Sequence, residues 1–180
     1  MAVDDKLLRR ATILLAVGCG LSVANLYYAQ PLLDAFTRSF GVSRSAAALT
    51  VTATQIGYAV GLVLVAPLGD VIENRKLATR VLLGTAVALA LAASAPTLGV
   101  FLAAAVIVGL TSVVAQVLVP IAAHLAPEAQ RGQVVGRVMS GLLLGILLAR
   151  TLSSLVAAAF GWRTVYAASA VFMVALSFVL

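Results

Sequence analysis

Residues 67–76 read Pro67-Leu68-Gly69-Asp70-Val71-Ile72-Glu73-Asn74-Arg75-Lys76. This short polar passage separates two apolar runs, residues 46–69 and 78–95. A helix crossing the hydrocarbon core of a bilayer needs about 20 residues, so both runs read as spans and the passage as the turn between them. Gly69 relieves crowding where two helix ends meet. Asp70 stands where a carboxylate can cap a helix N-terminus or pair with a base. Arg75 and Lys76 suit an anionic membrane surface. An ordinary basic loop explains the two bases but not Gly-Asp at the helix end.

The rest of the chain extends this reading. Of its 180 residues, 63% are hydrophobic and 10% charged, and the mean hydropathy is +1.14. A soluble domain carries roughly 25% charged residues, so a water-soluble fold is excluded, as is disorder. Six apolar runs emerge, at residues 11–33, 46–69, 78–95, 98–125, 134–160 and 164–180. The last is short for a full crossing, so the chain is expected to stop inside or at the rim of a span. The fold class is an all-α membrane protein, one six-helix transmembrane bundle over residues 1–180.

The bases alternate between the two sides of that bundle. Lys6, Arg9, Arg10, Arg75, Lys76, Arg80, Arg131 and Arg137 fall on the side of the N-terminal tail. Arg38, Arg44 and Arg163 fall on the other. The positive-inside rule then places the N-terminus in the cytoplasm, and the expected location is a bacterial-type inner membrane. The first run is too long for the apolar core of a signal peptide and reads as a retained span. The net charge of +6 does not point to nucleic acid, because no basic stripe interleaves with aromatics. Cys19 stands alone, which leaves no internal disulfide and no cysteine-based metal site. No Gly-rich phosphate loop ending in Gly-Lys-Ser/Thr is present. No cofactor is expected.

Two internal echoes suggest a repeat. Ala29-Gln30-x-Leu32 returns as Ala115-Gln116-x-Leu118, 86 residues on, and Gly57-x3-Gly61 returns as Gly141-x3-Gly145, 84 residues on. The near-constant offset divides the chain into two three-helix units, about residues 11–95 and 98–180. Three spans per unit make the units inverted.

Polar residues inside spans are rare, so each is a candidate for a solute path. Arg150 is the one charge deep in a span. Counting 1.5 Å per residue, it shares a level with Asn25, Tyr27 and Tyr28, and Asp34 is the acid nearest in height. Pro31 and Pro120 each free the carbonyl four residues earlier, on Tyr27 and Gln116. Gln30 and Gln116 stand beside these predicted interruptions, and Gln55 and Tyr58 share a face at i, i+3. The small-residue stripes through Gly57 and Gly61 and through Gly141 and Gly145 let helix backbones approach closely. His124 reads as an interfacial residue.

At this point the chain resembles the major facilitator superfamily. Residues 67–76 are similar to that family's signature loop at Asp70 and the Arg75-Lys76 pair, with Val71 where the motif has Arg and Asn74 in place of its second Gly. Gln30-Pro31-Leu32-Leu33, Gly161-Trp162-Arg163, Arg131-Gly132, Ser140-Gly141 and Gly145-Ile146-Leu147-Leu148-Ala149-Arg150 look like the sugar-efflux and drug-efflux branch. The resemblance covers nearly the whole chain, but only the first half of a twelve-helix transporter. It implies secondary transport, with export of a small organic solute and proton coupling. Gly69, Asp70, Arg75 and Lys76 would form a conformational-switch loop. A second six-helix bundle, either the missing C-terminal half or a second copy of the chain, would cover the glycine faces of spans 2 and 5. The alternative is a truncated or non-transporting membrane subunit. An enzyme is not expected, since no serine and histidine stand together deep in the spans.

Overall fold

The computed structural model describes residues 5–179, with the side chains of Asp5 and Asp70 outside the described part. Among the described residues there are eight α-helices, and seven of them build six spans. Helix α1 is Asp5–Ala24, α2 Leu33–Phe40, α3 Arg44–Leu64, α4 Asn74–Ser94, α5 Leu98–Thr111, α6 Val114–Leu125, α7 Arg131–Phe160 and α8 Trp162–Val179. Six helical stretches are long and apolar enough to cross a membrane. Helices α5 and α6 form one of them, Leu98–Leu125.

Helix ends differ from the apolar boundaries in an instructive way. Helix α1 starts before the first run and carries Lys6, Arg9 and Arg10 within it. Hydropathy marks the hydrocarbon edge, whereas backbone groups keep pairing through the interface. For the same reason the stretch expected as a loop after span 1 is the amphipathic α2. Its Phe36 is buried while Asp34 and Arg38 stay on the surface side. Gly41, at φ +64°, ends α2 in the left-handed conformation, where a Cβ would be strained. Ser43 then caps α3 by accepting from the Ala46 N–H at 3.2 Å.

Span 1 departs from α geometry after Ala24. Leu26 and Tyr27 donate to the carbonyls three residues back, and a short 3-10 helix follows at Gln30–Leu32. Span 4 breaks at Ser112 and Val113. The two breaks lie at matching places of the two repeats. The second is not where Pro120 predicted it, since α6 runs through Pro120. The hydroxyls of Thr111 and Ser112 instead fold back on the carbonyls of Ile107 and Val108, at 2.8 and 2.7 Å. Such back-bonding competes with the helix ladder and bends it.

Packing follows the inverted repeat. Helix α3 packs mainly on α5, α7 on α1, and α4 on α8. Each flanking helix thus lies against the first span of the other repeat, and the third spans pair with each other.

The glycine stripes make these contacts, which corrects the expectation that a second bundle covers them. A Cβ on Gly57 would run into the Val106 carbonyl, and one on Gly61 would lie 2.9 Å from Val113 Cγ1. A Cβ on Gly109 would strike the Thr54 carbonyl. On the other side, a Cβ on Gly141 would lie 2.5 Å from the Ala16 carbonyl oxygen, and Gly145 abuts the Gly20 backbone. Both pairs run parallel, the residue numbers rising together. Sequence periodicity shows that a face is flat but not which helix lies on it.

Spans 2 and 5 are still the open ones. Their most apolar stretches are 22% and 11% buried, against 44 to 56% for the other four. What they expose is bulky: Ile56, Val63 and Leu64 on α3, and Leu143, Leu147 and Leu155 on α7.

The end of the bundle opposite the eight bases of the N-terminal side closes on an aromatic cluster. Phe36, Phe40, Phe101, Trp162 and Tyr166 come from three loops' worth of chain, with Phe36–Trp162 centroids 5.0 Å apart and Phe101–Trp162 5.2 Å. Gly161, at φ +88°, turns the chain so that Trp162 enters this cluster.

Candidate functional site

Helix α6 presents an exposed stripe at Gln116, Pro120 and His124, spaced by four. Gln116 Nε2 donates to the Tyr58 hydroxyl of α3 at 3.2 Å. Gln55 is one turn from Tyr58 and is exposed. The structure therefore brings Gln55, Tyr58 and Gln116 together on one open, polar strip across two spans. His124 Nδ1 lies 2.8 Å from the Pro120 carbonyl oxygen at the basic end.

Arg150 stands in the distal half of α7, exposed. Among the described residues its guanidinium has no hydrogen-bond or ion-pair partner. An arginine in hydrocarbon costs about 2.5–3.5 kcal/mol on insertion scales, so this side of α7 calls for water or an anionic contact. By helical rotation of about 100° per residue, Arg150 shares a flank with Ile146 and Ala157. No hydrogen bond joins it to Gln116, Tyr27 or Gln30, which are exposed, half-buried and half-buried. Asp34 is not its counter-ion. Asp34 pairs with Arg44 at 3.6 Å, on the surface.

Asn25 and Tyr28, expected at Arg150's level, have different surroundings. Both are buried. Ser169 Oγ of α8 donates to Asn25 Oδ1 at 2.7 Å. That uses the only proton of Ser169, so the Tyr28 hydroxyl, 3.4 Å away, donates to Ser169 Oγ. Asn25 Nδ2 reaches Met173 Sδ at 3.7 Å. The ring of Tyr28 meets Tyr166 edge-on. The pair thus ties span 1 to span 6 inside the bundle.

In the loop after span 2, residues Ala66–Asp70 form a 3-10 helix and Glu73 is the N-cap residue of α4. The expected role of the Asp70 carboxylate falls on a side chain outside the described part. Glu73 takes the ion pair, 2.7 Å from Lys76 Nζ. That hydrogen bond, and then the Lys76 charge, hold the Glu73 carboxyl below its usual range. Gly69 leaves room for Asn74, whose Oδ1 would be 3.2 Å from a Cβ there. Arg75 and Lys76 are exposed.

Arg163 is the residue whose role sequence reasoning missed. Its guanidinium donates to Ser39 Oγ at 3.0 Å and to the Ala95 carbonyl at 2.8 Å, and stacks 4.3 Å from the Trp162 ring. One side chain thereby joins the start of span 6 to the segments that follow spans 1 and 3. The Gly161-Trp162-Arg163 run was visible in the sequence, but its partners are distant in the chain.

Similarity to known proteins agrees with this architecture. The sequence profile of the Major Facilitator Superfamily matches residues 14–180. The uncharacterized transporter YgaY of Escherichia coli O157:H7 is 50% identical over 161 residues, which cover 89% of this chain and 41% of that protein. A transporter-named protein of Streptomyces coelicolor is 40% identical over 158 residues, covering 88% of this chain and 37% of the other. The chain therefore spans about two-fifths of the length of these relatives. The fold is similar to the inward-open xylose transporter XylE of E. coli, with a TM-score of 0.73 at 18% identity, over 96% of this chain and 48% of that one. A double-tryptophan mutant of XylE gives a TM-score of 0.80 at 18% identity, over 97% and 45%.

Proposed function

Because the chain belongs to the major facilitator superfamily, we propose that it is the N-terminal bundle of a secondary transporter and works by rocking against a second six-helix bundle. The observation that carries this reading is the polar strip: Gln116 bonded to Tyr58, with Gln55 a turn away, on an exposed face of otherwise apolar spans. The solute path runs along that strip and past Arg150. Tyr27 and Gln30, half-buried at the break of span 1, belong to its rim. Asn25 and Tyr28 act behind it by fixing span 1 to span 6.

The second bundle covers the aliphatic flanks of α3 and α7. The glycine faces of those helices are already filled. The N-terminus lies in the cytoplasm, on the side of the eight bases. The solute is a small organic molecule moved outward, and proton coupling is supplied from the second bundle, since the acids near the described spans of this one lie at their ends. Asp70, Arg75 and Lys76 form the switch loop, with Glu73 holding Lys76 in the state described.

The test is transport by the protein carrying both bundles, reconstituted in vesicles. Arg150→Ala should lower transport at least tenfold with insertion unchanged, and Arg150→Lys should recover part of it. Unchanged transport in Arg150→Ala would remove Arg150 from the path.

A further inference from the structure

A groove of about 910 Å³ runs between α1, α7 and α8. It lies on the flank of α7 opposite Arg150, and no residue of α3 or α6, the helices of the polar strip, lines it. Its walls are Ile13 and Val17 of α1, Leu144 and Leu148 of α7, and Phe172 of α8. All five are exposed. At its basic end stand Arg9 of α1 and Arg137 of α7. Among the described residues no acid lines the groove, and neither arginine has a hydrogen bond or ion pair.

We propose that this groove binds one anionic phospholipid of the leaflet on the basic side. Its phosphate sits between Arg9 and Arg137, and one acyl chain lies along Ile13, Val17, Leu144 and Leu148. One feature selects a lipid as the occupant. The charge is confined to one end and has a single sign, matching a headgroup that carries its charge at one end of an apolar body. The lining continues from Arg9 past Val17 to Tyr28 and from Arg137 past Leu148 to Val156, so a lipid anchored at the two arginines fills the basic half of the groove, about 15 Å of a hydrocarbon core about 30 Å thick. The site rests on the chain lying in a bilayer and not on transport.

The test is lipid retention. The chain is reconstituted in nanodiscs of equal phosphatidylcholine and phosphatidylglycerol, extracted in mild detergent and weighed by native mass spectrometry. Phosphatidylglycerol should be retained about tenfold over phosphatidylcholine, and the variant R9Q/R137Q should lose that preference. R75Q/K76Q removes two bases at the same end but outside the groove and should keep it. Leu148→Trp fills the bed of the chain from an exposed position, so it should also lose the lipid with the fold intact. A photoreactive residue at Leu144 should capture lipid. Equal retention of both lipids, retention unchanged in R9Q/R137Q and Leu148→Trp, or capture of a second polypeptide at Leu144 would overturn the proposal.

Discussion

Arg163 Nη2 lies 2.8 Å from the carbonyl oxygen of Ala95, 68 residues away in the chain. The same guanidinium reaches Ser39 and the Trp162 ring, so the loops after spans 1, 3 and 5 meet on one side chain. The planar fork makes this possible, because it can donate in two directions while stacking on an aromatic face. Arg163→Ala should lower stability by roughly 1–2 kcal/mol, the lower part of the range for charged hydrogen bonds because the group is exposed. Arg163→Lys should recover less than half of that. Thermal unfolding in detergent checks both.

The glycine contacts predict opposite signs at neighbouring positions of one helix. Gly141→Ala places a methyl against the Ala16 backbone, and overpacking of this kind costs roughly 1–3 kcal/mol. Gly136→Ala meets nothing within 4 Å and should stabilise α7, by up to about 1 kcal/mol from helix propensity. Equal effects of the two variants on unfolding would contradict the close packing of α7 on α1.

Asn25 and Ser169 form a buried hydrogen bond, so loss of either partner leaves a polar group stranded. Asn25→Leu and Ser169→Ala should each cost about 1–3 kcal/mol. The double variant should cost less than their sum. If Asn25 lined the solute path instead, Asn25→Leu would change the transport KM and leave the unfolding temperature in place.

Tyr58→Phe removes the hydroxyl that accepts from Gln116. The bond is exposed, and interhelical hydrogen bonds in membranes average about 0.6 kcal/mol, so stability should barely change. Solute transport should fall severalfold. A large loss of stability with normal transport would make this contact a packing device.

The number, order and pairing into repeats of the six spans were legible in the sequence, because hydropathy and the echo of Gly57-x3-Gly61 in Gly141-x3-Gly145 are local signals. The rise per residue gives an expected level for Asn25, Tyr28 and Arg150. Direction around each helix was not legible, since it depends on what packs against what. Asn25 and Tyr28 turn inward to Ser169, and Arg150 turns outward. The partners of the glycine stripes were hidden for the same reason, and so was the clasp of Arg163 on Ala95. The break in span 4 was misplaced because Pro120 removes only one rung of the ladder, while the hydroxyls of Thr111 and Ser112 act on two adjacent carbonyls.

The central claim is that the face bearing Gln55, Gln116 and Arg150 is the wet side of this bundle. Single cysteines at those positions, with Cys19 replaced, can be tested with a small membrane-impermeant maleimide in native membranes. The account predicts labelling at Gln55→Cys, Gln116→Cys and Arg150→Cys, and none at Leu144→Cys or Leu148→Cys on the opposite flank of α7. Labelling at Leu144 and Leu148 with none at the three polar positions would contradict it.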